Sequence, residues 1–258
     1  MDKDIKESFE KTRIAGSIAA GALDEVSKIV KPGIKTEKID KLCYEFINDS
    51  GGYSAPLYYR GFPKSCCTST NHIVCHGIPS EKILKEGDIV NVDVTAIKDG
   101  WHGDTSRMFE IGEISVKSKK LINTTYDAMM KSIGILKEGI HLGDIGSTIQ
   151  EHVEAEGFSV VQDFCGHGIG KLFHQLPNIL HYGKKGTGEK ISEGMIFTIE
   201  PMINAGKRDI KMLSDGWTVV TKDRSLSAQW EHTILVTNDG FEVLTISEGT
   251  PKPWNPTK

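Results

Sequence analysis

Apolar residues recur at helical spacing in two early stretches of the chain: Ile14, Ile18, Ala22, Val26 and Ile29, then Ile39, Leu42, Cys43, Phe46 and Ile47. Steps of three and four put each set on one face, which predicts two amphipathic helices, the second closed by Gly51-Gly52. The period then changes. Residues 89–109, IVNVDVTAIKDGWHGDTSRMF, are rich in β-branched residues and turn about Asp99-Gly100, a strong two-residue hairpin signal. Helical spacing returns at Ile122, Tyr126, Met129, Ile133 and Leu136, and again at Ile145, Ile149 and Val153, with Gly157 as the stop.

This order is a repeat. LKEGDIVNVD (84–93) is echoed by ISEGMIFTIE (191–200), and VKPGIKTEKIDKL (30–42) by LKEGIHLGDIGST (136–148). After Asp93 comes a second strand with Asp104; after Glu200 and a longer insertion comes WEHTILV with Glu231. Each half reads helix, helix, strand with acid, strand with acid, and internal repetition of this kind governs the fold.

Acids are poorly suited to buried strands, so these four need a reason. If Lys98 faces Trp101 across the turn, Asp93 faces Ser106 and Thr95 faces Asp104. Alternation then puts Asp93, Thr95, Asp104 and Ser106 on one face and Val90, Val92 and Val94 on the other. Asp93 and Asp104 become diagonal neighbours, about 7–8 Å apart at Cα. Glu200 and Glu231 form the corresponding pair, and a pseudo-two-fold axis brings all four together. Such a cluster raises the pKa of every member, and four acids call for cations.

His167 stands in FCGHGIGKLFHQLP, where flanking glycines let backbone approach a bound ion. GHGIGK lacks the spacing of a phosphate-binding loop, and no amphipathic helix follows it. His167 is therefore the candidate imidazole ligand. His76 and His174 are of a type that can orient substrate or move protons. Four carboxylates and an imidazole suit Mn, Fe, Co, Zn or Ni, and five such ligands are enough for two bridged ions that assist hydrolysis.

Composition changes this picture little. The chain has 258 residues, 38% hydrophobic and 26% charged, with a net charge of −4, which argues against nucleic acid or an anionic membrane as the main partner. No apolar run approaches the roughly 20 residues that span a bilayer. Five cysteines at irregular spacing suit free thiols in a reducing compartment. With the charged start MDKDIKESFEK, which has no signal-peptide core, they predict a cytoplasmic protein.

CHGIP, GDIVNVDV, DGWHGDTSRMF, CGHGIG, FTIEPM and DGWTVVTKDRSLSAQWEHTILVT closely resemble the type I methionine aminopeptidases, in uninterrupted order from about residue 5 to residue 246. The resemblance implies an α+β "pita-bread" fold: two pseudo-two-fold related halves with a central antiparallel sheet and outer helices. It implies removal of initiator methionine from nascent chains whose second residue is small. Carried over, Asp93, Asp104, His167, Glu200 and Glu231 hold two divalent ions, with Asp104 and Glu231 bridging. Glu200 also accepts a proton from the attacking water. His174 steadies the scissile carbonyl, and His76 contacts the substrate near the scissile nitrogen. Tyr59, Phe62, Cys67, His76, Phe173, His174 and Trp217 form the methionine pocket, and Asn71, Ile73 and Ser227 a site for one Na or K ion. The chain departs at Pro56, where relatives often have cysteine, which alters one pocket wall.

The resemblance further implies one metallopeptidase domain over 1–249, with halves of about 5–115 and 116–246, and a flexible tail over 250–258. The partners are N-terminal methionine of nascent polypeptides and, transiently, the ribosome; no specific nucleic acid or membrane is expected, and the chain is expected to be a monomer. Competing readings are a proline-directed aminopeptidase or creatinase relative, which usually carry a further N-terminal domain, and a non-catalytic relative, which would have lost ligands. A cysteine hydrolase using Cys75 and His76 is disfavoured, because adjacent strand residues face opposite ways.

Overall fold

The computed structural model describes residues 3–251. Four helices, α1 (Lys3–Ile29), α2 (Thr36–Asp49), α3 (Val116–Gly134) and α4 (Leu142–Ala155), form two pairs, each of which precedes the acid-bearing strands of its half. The strands are β1 (Tyr53–Ser54), β2 (Cys67–Thr70), β3 (Ile73–Cys75), β4 (Ile89–Lys98), β5 (Trp101–Glu110), β6 (Ser159–Val160), β7 (Gly166–Gly168) and β8 (Gln175–Ile179). The series continues with β9 (Ile196–Ile199), β10 (Met202–Asn204), β11 (Ile210–Met212), β12 (Val219–Thr221), β13 (Ser227–Gln229), β14 (His232–Thr237) and β15 (Gly240–Val243).

Each half has its own apolar core. In the first, Leu23 and Val26 of α1 and Ile39, Cys43 and Ile47 of α2 pack on Val90, Val92 and Val94 of β4. In the second, Met129 and Ile133 of α3 and Ile145 and Ile149 of α4 pack on Phe197, Ile199 and Ile234. Most of the helical spacing legible in the sequence falls on the buried faces, but Ile14 is 39% exposed, and α1 buries instead a face of Ala15, Ala19, Ala22, Leu23 and Val26. Ser115 caps α3 by accepting the Ser118 N–H at 3.1 Å, and Asp144 caps α4 by accepting the His141 N–H at 2.7 Å.

The β4–β5 hairpin takes the expected register, with Lys98 opposite Trp101, Asp93 opposite Ser106 and Thr95 opposite Asp104. Its turn residues have positive φ, 50° at Asp99 and 79° at Gly100, as a two-residue turn matched to strand twist requires. The other edge of β4 pairs with β2 and β1, and Cys67 lies opposite Asp93.

The second half builds its ladder differently. β9 and β14 pair antiparallel from Ile196 to Ile199, and β10 and β13 resume in the same register at Met202 opposite Gln229. Between them stand Glu200 and Pro201 on one strand and Trp230 and Glu231 on the other. Proline has no N–H to donate, so the ladder opens there. The Glu231 backbone instead exchanges two hydrogen bonds with Ser106 of β5, at 3.3 and 3.4 Å. This seam joins the halves and sets Glu231 beside the acids of the hairpin. Across it, Thr233 Oγ1 accepts the Asp104 N–H at 3.1 Å and donates to the Asp104 carbonyl at 2.8 Å, while Thr105 Oγ1 donates to the Glu231 carbonyl at 2.7 Å.

At the chain's end, Arg107 donates to Asp24, Ser247 and Thr250, and the Tyr126 hydroxyl donates to the Pro251 carbonyl at 2.7 Å. The expected tail therefore starts on tethered residues; its remainder, 252–258, lies outside the described residues.

Candidate functional site

At the seam is a cavity of about 360 Å³ with two unlike walls. One carries Asp93, Asp104, His167, Glu200 and Glu231; the other carries Tyr59, Phe62, Phe164, Phe173, Met202 and Trp217, with Cys67 and His76 among the remaining lining residues.

The acidic wall draws one pair of acids from each half. Asp93 and Asp104 project from facing strands of a hairpin, and Glu200 and Glu231 from the open ladder. Ligand atoms of Asp104, His167 and Glu231 lie within 4.8 Å of one another. His167 Nε2 is 3.6 Å from Asp104 Oδ2 and 3.5 Å from Glu200 Oε1. Asp104, His167, Glu200 and Glu231 are buried, and Asp93 is half-buried.

Burial pushes the Asp93 carboxyl up to about 7 and the Glu200 carboxyl up to about 8. It drives Asp104 and Glu231 well above the usual carboxylate range, and the neighbouring acids add to both shifts. His167 offers no compensating charge, because burial lowers its imidazole to about 4. Among the described residues no lysine or arginine forms an ion pair with these four acids. A crowded set of oxygen donors with one neutral imidazole and no counter-charge is complementary to divalent cations, so the residues present fit a metal centre.

Partners hold each ligand in place. Thr95 Oγ1 donates to Asp104 Oδ1 at 2.6 Å, and Thr198 Oγ1 donates to Glu200 Oε1 at 2.7 Å while accepting the His167 N–H at 2.9 Å. Gln229 Nε2 donates to Glu200 Oε2 at 3.4 Å. The Glu200 N–H, freed by the open ladder, donates to Nε2 of the buried His181 at 3.1 Å. The sequence reading gave His181, Thr198 and Gln229 no part in the site. Thr198 was within reach, since Thr198-x-Glu200 mirrors Asp93-x-Thr95 on a strand, where alternate residues share a face.

On the apolar wall, Phe62 meets the Trp217 ring edge-on at 5.2 Å, and His76 meets Phe164 at 5.6 Å and Trp217 at 6.2 Å. Tyr59 Oη lies 3.0 Å from His174 Nδ1, and Phe173 is packed between His174, at 4.1 Å, and Tyr59, at 4.9 Å. Burial lowers the pKa of His76. His174 is lowered to about 3, by burial above all, and the Arg60 guanidinium adds to the shift. All seven expected pocket residues line this cavity, as does Pro56. Arg60, Asp163, Phe164, Cys165 and Met202 also line it and were not foreseen.

Asn71, Ile73 and Ser227 gather elsewhere, where the Ser227 N–H donates to the Asn71 carbonyl at 2.8 Å and Ile73 pairs with Val220. Cys75 is buried while His76, at φ 55°, turns toward the cavity, so the two do not form a nucleophile–base pair.

The family model described as metallopeptidase family M24 matches residues 10–238. A methionine aminopeptidase of Rickettsia prowazekii is 56% identical over 243 residues, 94% of each chain. Its crystal structure superposes with a TM-score of 0.92, covering 93% of this chain and 98% of that one. A methionine aminopeptidase of Escherichia coli (strain K12) is 51% identical over 249 residues, 96% of this chain and 94% of the relative. Prolidase from Pyrococcus furiosus, at 21% identity, shares the fold with a TM-score of 0.76, covering 94% of this chain and 65% of that one. The two-half architecture is the pita-bread arrangement expected of the sequence.

Proposed function

The chain belongs to metallopeptidase family M24, and from that premise we propose that it is a divalent-metal-dependent aminopeptidase that hydrolyses the bond after an N-terminal methionine, on nascent chains with a small second residue. One observation carries this reading: four acids, three of them buried, and an imidazole face an aromatic pocket across a single cavity. The near-full-length likeness to methionine aminopeptidases supports the choice of methionine.

Asp93, Asp104, His167, Glu200 and Glu231 would hold two divalent ions, drawn from Mn, Fe, Co, Zn or Ni. Bound there, such ions supply Lewis acidity toward the scissile carbonyl and toward water. The protein's own groups do the rest. Tyr59, Phe62, Phe173 and Trp217 take the methionine side chain, because aromatic edges and faces suit a polarisable thioether. Tyr59 Oη lies 3.0 Å from His174 Nδ1; with the hydroxyl as donor, the imidazole proton would stand on Nε2, where it can be offered to the carbonyl oxygen. Glu200, held by the Thr198 hydroxyl and kept ionised by a bound cation, would accept the proton of the attacking water. His76, neutral and packed between Phe164 and Trp217, sits near the leaving nitrogen.

A Na or K ion at Asn71, Ile73 and Ser227 belongs to the same reading as a structural element outside the chemistry. So do action as a cytoplasmic monomer and transient contact with ribosomes. No helix among the described residues is long and apolar enough to cross a membrane.

The test is methionine release from Met-Ala-Ser and from a Met-Lys peptide after chelation and add-back of Mn, Fe or Co. Release from Met-Ala-Ser only with metal, and far less from Met-Lys, is expected. No release from Met-Ala-Ser with any metal overturns the proposal.

A further inference from the structure

Arg60 is the sole lysine or arginine lining a cavity that five carboxylates also line: Asp93, Asp104, Asp163, Glu200 and Glu231. Its backbone is left-handed, with φ 48°, and so is that of Tyr58, with φ 65°. For non-glycine residues such a conformation is disfavoured, and it persists only where surrounding structure enforces it. Here the Tyr58 N–H donates to the Phe62 carbonyl at 2.8 Å and the Gly61 N–H to the Tyr58 carbonyl at 3.1 Å, closing a tight loop. The loop sets the Arg60 guanidinium over the Tyr59 ring, 5.3 Å from its centre, within cation–π range. Among the described residues Arg60 forms no ion pair and no hydrogen bond, so its five N–H groups are unspent at the rim.

Position gives this charge a use. Tyr59 Oη touches His174, the group proposed to act at the scissile carbonyl. Arg60 is exposed, and its guanidinium and the His174 ring each lie 5.3 Å from the centre of the Tyr59 ring. An extended peptide advances about 3.3–3.6 Å per residue, so a chain held at His174 passes Arg60 one to two residues later. Resting on the proposed aminopeptidase activity, we infer that Arg60 determines specificity downstream of the cut, by receiving an acidic side chain at the third residue of the substrate. The small second residue leaves that path open. In a protein of net charge −4, with an acid-lined cavity, a single unpaired cation is the feature that can favour such substrates.

The experiment compares kcat/KM for Met-Ala-Asp-amide, Met-Ala-Lys-amide and Met-Ala-Ser-amide with the metal-loaded protein at low salt. A preference for Asp over Lys of about 3- to 10-fold is expected, in the range of a partly exposed ion pair, and it shrinks as salt is added. Arg60→Asn and Arg60→Asp are the variants of choice, because Asn and Asp tolerate the left-handed backbone. Asn should bring the ratio to about one and Asp should invert it, which a purely structural role for Arg60 does not do. A wild-type ratio of one, or a ratio that persists in Arg60→Asn, overturns the inference while Met-Ala-Ser-amide is still cleaved. Failure to cleave Met-Ala-Ser-amide overturns the aminopeptidase reading itself.

Discussion

The backbone N–H of Glu200 donates to Nε2 of His181, 3.1 Å away, where the β-ladder of the second half lies open. A β-strand normally satisfies each backbone group from its neighbour. Here the opposing Glu231 has turned its backbone to Ser106, and the imidazole takes its place. Because Nε2 accepts, the ring is neutral with its proton on Nδ1, in keeping with burial that lowers its pKa to about 3.

His181→Leu should therefore leave a buried N–H without a partner, at a cost of about 1–3 kcal/mol, and free Glu200 to move. Loss of such an outer partner weakens metal binding about 10- to 100-fold. His181→Gln, which keeps an acceptor, should recover most of the affinity. Calorimetric titration of Mn²⁺ into each chelator-treated variant decides it. Equal affinities in the Leu and Gln variants refute a positioning role.

Asp104→Asn should abolish methionine release while leaving a folded protein. The amide keeps an acceptor for the Thr95 hydroxyl but removes the charge that a metal ion needs. In chelator, the variant should melt no lower than the wild type, because one of four crowded carboxyls is gone. Retained turnover would remove Asp104 from the proposed ligand set.

Stability of the metal-free protein should fall as pH rises from about 6.5 to 8. Asp93 is raised to about 7 and Glu200 to about 8, and Asp104 and Glu231 are held well above the usual carboxylate range, so in this window the folded state holds protons that the unfolded state has lost. That stability is complete below the unfolded carboxyl pKa and disappears as pH climbs through the folded one. His167, His174, His181 and His232, lowered to about 4, 3, 3 and 3, act in the opposite sense, but above about 7 the unfolded imidazoles are mostly neutral and the carboxyls dominate. Urea midpoints at pH 6.5, 7.2 and 8.0, with chelator and with excess Mn²⁺, test this. The slope should be present with chelator and much reduced with metal.

The hairpin half of the site was legible because its information is local. Asp99-Gly100 dictates the turn, the turn dictates the register, and the register puts Asp93 and Asp104 on one face. Glu200 and Glu231 were reachable through the repeat, although Pro201 opens their ladder and their carboxylates converge by a different route. His181, Gln229 and Arg60 were not legible. His181 and Gln229 act across long separations in sequence, at a ladder break that leaves no periodic mark. Arg60 owes its place to a left-handed loop that no glycine at its own position announces.

The first half is held against its helix by backbone packed directly on backbone. A Cβ added at Gly103 would fall on the backbone of Ala15 and Gly16 in α1, and one added at Gly16 would fall on the Leu244 carbonyl. Backbone cannot yield as a flexible side chain can, so Gly103→Ala must push α1 and β5 apart. The expected cost is about 2–3 kcal/mol, at the high end for overpacking. Because Asp104 is the next residue of β5, the same displacement should loosen the metal ligands. Thermal melting with chelator and Mn²⁺ titration should both register the change. Gly33→Ala is the contrasting case: it has nothing within 4 Å of the new Cβ and lies outside the seam, so it should show only the cost of its left-handed φ of 92° and no change in metal affinity. If Gly103→Ala melts with the wild type, the close approach of α1 does not position the hairpin.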